Sequence, residues 1–146
     1  MDTLNTDTAY ELSKEFNASP EVVFKSFIDE ETLKKIWGVS EIKIDARPEG
    51  KARAKLQISN ENWDFTITYK EVVPNEKLRW IVQFDRFPSK ETRTTILLTK
   101  IPEGTKLIFR QENFETSQER DENREAITNA LKTLDGLLTT KAKAGK

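Results

Sequence analysis

From Glu41 to Phe114 apolar residues recur at every second position, and from Ala126 to Leu138 they recur at every third or fourth. This change of period constrains the fold more than any other feature of the chain. A period of two gives a strand with one dry and one wet face, and a period near 3.6 gives a helix with one apolar stripe. The shorter period runs through Ile42/Ile44, Ala52/Ala54/Leu56/Ile58, Trp63/Phe65/Ile67/Tyr69, Leu78/Trp80/Val82/Phe84, Ile96/Leu98 and Leu107/Phe109. Pro48-Glu49-Gly50, Asn60-Glu61-Asn62, Pro74-Asn75-Glu76, Phe87-Pro88-Ser89 and Pro102-Glu103-Gly104 separate these segments. The first and last of these place Pro and Gly where a type I turn favours them. Consecutive strands joined by such short turns make an antiparallel meander.

The flanks complete the order of elements. Residues 8–16 alternate as a strand, with Tyr10, Leu12 and Phe16 on one parity and Glu11, Ser13 and Glu15 on the other. Ser19-Pro20-Glu21 reads as an N-cap, a Pro at the first helical position and an acid in the first turn. Asp29 caps a second short helix over Glu30–Trp37, and Gly38 ends it. Thr116-Ser117-Gln118-Glu119 fits a capping box, with Glu119 reaching back to the cap. The helix it opens carries one stripe, Ala126, Ile127, Ala130, Leu131, Leu134, Leu137 and Leu138. Gly136 inside it costs about 1 kcal/mol relative to Ala, and marks either a close approach to the sheet or the start of fraying. A sheet must cover its apolar face, and only the long helix is large enough to do so. The expected class is α+β: a curved antiparallel sheet, of one strand and then six, wrapped around a long C-terminal helix. The domain should span residues 8–138, between a disordered start over 1–7 and a flexible basic tail over 139–146. Space left between sheet and helix is the main functional opportunity.

Composition narrows the chemistry. The 146 residues include no Cys and no His, which removes disulfides, thiolate metal sites and the commonest general base. Without them no Ser/His or Cys/His constellation forms, and the glycine-rich nucleotide and nucleophile-elbow motifs are absent. Net charge is −1 with both signs interspersed, which gives no footprint for nucleic acid. No apolar run approaches the ~18 residues of a membrane span, and Met1–Asp7 has no signal-like apolar core. The chain is expected in the cytoplasm, as a monomer or weak dimer, with no cofactor and no metal. The acidic approach to the long helix, Glu112 to Glu125, reads as a solvated face interspersed with Arg110, Arg120 and Arg124. Arg47, Arg79 and Arg93 are candidates for an anionic head group, but Arg79, between Leu78 and Trp80, has the opposite parity and reads as solvent-facing.

Several stretches, taken together in order and spacing, resemble the activator of heat-shock-protein-90 ATPase homologue family of the START-like, helix-grip superfamily. They are Phe16–Phe24 at the opening strand and helix, Ile36-Trp37-Gly38, Asp45–Gly50, Glu71–Leu78 and Gly104–Leu107. The likeness covers about residues 8 to 138. It implies a helix-grip fold with a cavity for a hydrophobic molecule, or a chaperone as partner. Two positions depart from the family pattern: Gln111 stands where a His is common, and no Trp follows Trp80. The amino-terminal domain of the eukaryotic cochaperone is not expected within these 146 residues.

The candidate cavity residues are Trp37, Phe65, Tyr69, Trp80, Phe109, Gln111, Asn113, Ile127, Leu131 and Leu134. Gln111 and Asn113 share the parity of Leu107 and Phe109, so they face the helix and orient a ligand's polar head, or else bond water or backbone. A buried amide left unbonded costs roughly 1–3 kcal/mol. The aromatics line a pocket or simply fill the core. Tyr69 and Trp80, each with a polar handle on an apolar body, are the stronger pocket candidates. Three functions follow: non-catalytic binding of a small hydrophobic ligand, a cochaperone-like interaction module, or an enzyme like the superfamily's cyclases and dehydratases.

Overall fold

The computed structural model of the chain describes residues 8–144. The start over 1–7, expected to be disordered, lies outside these bounds, as do the last two residues of the basic tail.

Strand β1 (Tyr10–Phe16) leads into helices α1 (Pro20–Ser26) and α2 (Glu30–Trp37). The caps form at the residues whose chemistry announces them. The Val22 amide donates to the Ser19 side chain, the Thr32 amide donates to Asp29, and Gly38 closes α2 in the left-handed region. The meander follows as β2 (Glu41–Ile44), β3 (Lys51–Lys55), β4 (Gln57–Ile58), β5 (Glu61–Asn62), β6 (Phe65–Val73), β7 (Lys77–Phe84), β8 (Thr92–Ile101) and β9 (Gly104–Glu112). Helix α3 (Ser117–Ala144) ends the described chain. Seven strands form one sheet in the order β1-β9-β8-β7-β6-β3-β2, with every pair antiparallel. The molecule is α+β, a curved sheet gripping the long helix, as the change of period predicts.

Three local readings need correction. The alternation from Ala52 to Ile58 is not one strand. The sheet strand stops at Lys55, and Gln57–Ile58 turn back on Glu61–Asn62 as a separate two-stranded hairpin. Ser59 and Asn60 both have positive φ, the conformation a two-residue hairpin turn requires. The turn at Pro48-Glu49-Gly50 is not type I, because Glu49 has φ 67° and type I keeps that residue right-handed. Finally, the capping box is half built. The Glu119 amide donates to Thr116 Oγ1 at 3.1 Å, while the Glu119 carboxylate accepts from Lys90 Nζ at 3.2 Å across the fold. An ammonium with two carboxylates in reach, Glu115 being the second at 3.5 Å, outcompetes a backbone amide for that oxygen.

The core lies between the concave face of the sheet and the apolar side of α3, with Phe16, Val23, Phe27, Leu33, Ile67, Leu78, Ile96, Leu107 and Leu134 almost wholly buried. No described helix is long and apolar enough to cross a membrane. Gly136 is exposed, and a Cβ built there meets nothing within 4 Å, so it is not a point of close approach to the sheet. Gly136→Ala should therefore recover the helix-propensity term, about 1 kcal/mol. That corresponds to a rise of roughly 3 °C in the thermal midpoint for a domain of this size, read by circular dichroism.

Candidate functional site

A cavity of about 180 Å³ opens between the sheet and the amino-terminal half of α3. The helix sequence explains its position. Towards its carboxyl end α3 buries Leu131, Leu134 and Leu138, which fill the core. One and two turns earlier it offers Ala130, Ala126 and Asn123 over the sheet, with Ile127 the one larger apolar side chain among them. Replacing leucines by alanines along one stripe withdraws side-chain volume without moving the helix, and space remains. Helix α2 closes one side with Ile36 and Trp37, and Leu56 and Phe84 stand on the strand side.

The aromatic wall is a contiguous set of rings. Trp37 meets Trp80 edge-on at 6.0 Å and Phe65 at 6.3 Å, and Phe65 meets Phe84 at 5.4 Å. These separations and tilts suit rings whose edges are positive and whose faces are negative. Of the residues expected at the site, Trp37, Phe65, Trp80, Phe109, Gln111 and Ile127 line the cavity. Tyr69 lies behind Trp80, its ring edge-on at 5.9 Å, and does not reach the space. Leu131 and Leu134 are core beneath the next turns of the helix. Asn113 lies past the end of β9 with φ 75°. The positive φ breaks the strand parity, so its side chain turns outward and donates to the Glu91 carbonyl at 2.6 Å.

Gln111 is the polar centre of the wall, and sheet register explains how it is held. Tyr10 on β1, Gln111 on β9, Thr94 on β8, Trp80 on β7 and Tyr69 on β6 are direct cross-strand partners in succession. They form one row across five strands. The Tyr10 hydroxyl donates to Gln111 Oε1, and Gln111 Nε2 donates to Thr94 Oγ1 at 3.0 Å. Burial holds the Tyr10 phenol well above its ordinary pKa, with nearby Arg124 partly opposing it. Tyr10 therefore stays a donor and fixes which end of the amide faces it. Tyr10 and Thr94 lie outside the set picked from sequence. Tyr10 has the apolar parity of β1, but only the β1–β9 register puts it opposite Gln111.

Among the described residues no charged side chain lines the cavity, and no three acidic side chains converge as a cation site requires. Arg79 and Arg47 are surface residues, paired with Glu71 at 2.7 Å and Asp45 at 2.8 Å.

A family model described as Activator of Hsp90 ATPase homolog 1-like protein matches residues 17–139. The chain belongs to this family. Solved structures agree with its fold. A crystal structure of a protein from Chromobacterium violaceum is 26% identical, covering 89% of this chain and 96% of that one, with a TM-score of 0.81. A crystal structure from Nitrosomonas europaea is 18% identical over 96% of this chain and 99% of that one, with a TM-score of 0.78. A solution structure from Cytophaga hutchinsonii is 18% identical over 92% and 96%, also with a TM-score of 0.78. A comparison with curated proteins finds no match. Within the family the row through Gln111 gives this member a cavity wall with an amide at its polar centre.

Proposed function

We propose that this domain binds a small, largely hydrophobic molecule in the cavity under α3 and performs no chemistry on it. The observation that carries this reading is the cavity itself: about 180 Å³, walled by aromatic and aliphatic side chains with one fixed buried amide. Ligand sites have this composition, apolar walls with a few placed polar groups. The volume is on the scale of an engineered ~150 Å³ cavity that takes up benzene, so it suits a single substituted ring. Catalysis would need a proton donor or acceptor poised near neutral pH. Gln111 and Thr92 do not titrate there, and burial keeps the Tyr10 proton in place.

Titration with ring-sized neutral compounds, followed through the fluorescence of the lining residues Trp37 and Trp80, tests the proposal. Saturable binding with a dissociation constant on the order of 0.1–1 mM is expected for so few contacts. Ala130→Leu, which adds bulk from the helix into the space, should abolish it while the fold persists. Absence of saturable binding to any such compound would overturn the reading.

The family description supports a second reading, interaction with the chaperone heat-shock protein 90. Its test is the chaperone's ATPase rate with and without saturating protein, and an unchanged rate rejects it.

A further inference from the structure

We infer that the cavity selects an uncharged ring-sized molecule bearing a hydrogen-bond acceptor such as a carbonyl oxygen, and discriminates against carboxylates. This rests on the cavity being a ligand site and adds the class of ligand. A primary amide has two N–H donors and an oxygen with two lone pairs. The Gln111 oxygen takes the Tyr10 hydroxyl, and one Gln111 N–H goes to Thr94. The second N–H has no partner among the described residues, although Gln111 is 93% buried by its 7% exposure.

Trp80, next but one along the row, adds a second donor. Its indole N–H takes no acceptor among the described residues. Trp80 lines the cavity. Gln111 and Trp80 thus carry two N–H groups with no acceptor among the described residues, beside the oxygens of Thr92 and Asn123 on the same wall. The Asn123 amide, at the helix side, already donates to the Glu119 carbonyl at 2.9 Å.

Charge decides between acceptors. A carboxylate accepts hydrogen bonds more strongly than a carbonyl, but entering this space strips its water, and among the described residues no cationic side chain lines the wall, Arg124 acting on Tyr10 from outside it. Desolvating an unpaired charge costs far more than two neutral donors return. A neutral carbonyl gives up little hydration and meets donors whose own alternative is to remain unbonded.

Three probes of nearly equal size separate the cases: acetophenone, α-methylstyrene, in which a methylene replaces the carbonyl oxygen, and benzoate. Calorimetry or ligand-detected NMR should show acetophenone binding at least about fivefold more tightly than α-methylstyrene, the worth of one neutral hydrogen bond. Benzoate should bind most weakly. In the unaltered protein, the Gln111 side-chain amide resonances should shift with acetophenone and not with α-methylstyrene. Gln111→Leu should reduce the preference while α-methylstyrene still binds. The amide resonances carry the same test should that variant fail to fold. Equal or tighter binding of α-methylstyrene, or tightest binding of benzoate, overturns this inference and leaves the cavity a ligand site. Binding of none of the three overturns the ligand site itself, and this inference with it.

Discussion

Replacing Gly104 by alanine should cost several kcal/mol and lower the thermal midpoint by about 10 °C or more. Gly104 opens β9 with φ 152°, in a region that side chains of L-residues rarely enter at a cost of roughly 1–3 kcal/mol. A Cβ there would lie 2.1 Å from the Phe16 carbonyl oxygen and 2.7 Å from the Ala18 nitrogen. Both are main-chain atoms, which cannot rotate away as a side chain can. Relief requires β9 to part from the end of β1, where Phe16 pairs with Thr105 and Thr105 Oγ1 donates to the Ala18 carbonyl at 2.7 Å. Thr105 and Phe16 are almost wholly buried, so parting them exposes core and leaves a buried hydroxyl unbonded. With net stabilities of about 5–15 kcal/mol for such domains, the loss is a large share of the whole. The contrast with Gly136→Ala is internal: the same atoms added, opposite signs expected, because one position abuts backbone and the other faces open space. Thermal unfolding of the two variants beside the parent checks both. A Gly104→Ala midpoint within about 2 °C of the parent rejects the steric account.

The period change in the sequence carries the whole architecture, because burial of one face is what selects a strand or a helix and what sets their stacking. Ser19, Asp29 and Gly38 cap as their chemistry dictates, since a cap is a contact between residues three or four apart. What fails to show locally is anything that depends on register or on φ. Asn113 shares parity with Gln111 on paper, yet one left-handed residue past the end of β9 sends it outward. Glu49 adopts positive φ without the Gly that usually licenses it, so its turn type could not be read from residue preference. The partnership of Gln111 with Tyr10 spans 101 positions and exists only because the last strand of the meander pairs with the first. The cavity's place along α3 is only partly marked in the stripe, by Ala126 and Ala130 ahead of Leu131 and Leu134, because Ile127 stands among them. Missing volume leaves a weaker mark than hydrophobicity itself.

The second large effect is alkaline unfolding driven by the two tyrosines of the row. Burial raises the pKa of both above the ordinary value of 10.0, with the charge of Asp45 adding to the effect at Tyr69. A phenol whose folded-state pKa exceeds its unfolded one contributes stability in full below the unfolded value, and that stability drains away as pH rises above it. Above about pH 10 the unfolded chain releases both protons while the folded chain keeps them. Stability should therefore fall by roughly 1.4 kcal/mol per pH unit for each tyrosine, about 2.7 for the pair. Between about pH 10 and 12 the sum is roughly 5 kcal/mol, enough to unfold a domain near the lower end of the usual range. Tyr10 and Tyr69 are the only tyrosines in the chain, so tyrosinate absorbance reports them without interference. It should appear together with the loss of near-ultraviolet circular dichroism, not before it. Tyr69→Phe is the clean variant, because the Tyr69 hydroxyl holds no hydrogen bond among the described residues, whereas Tyr10→Phe would also strip Gln111 of its partner. Urea unfolding as a function of pH should show the Tyr69→Phe slope above pH 10 reduced by about half relative to the parent. Tyrosinate forming near pH 10 with tertiary structure intact would contradict the burial of the row.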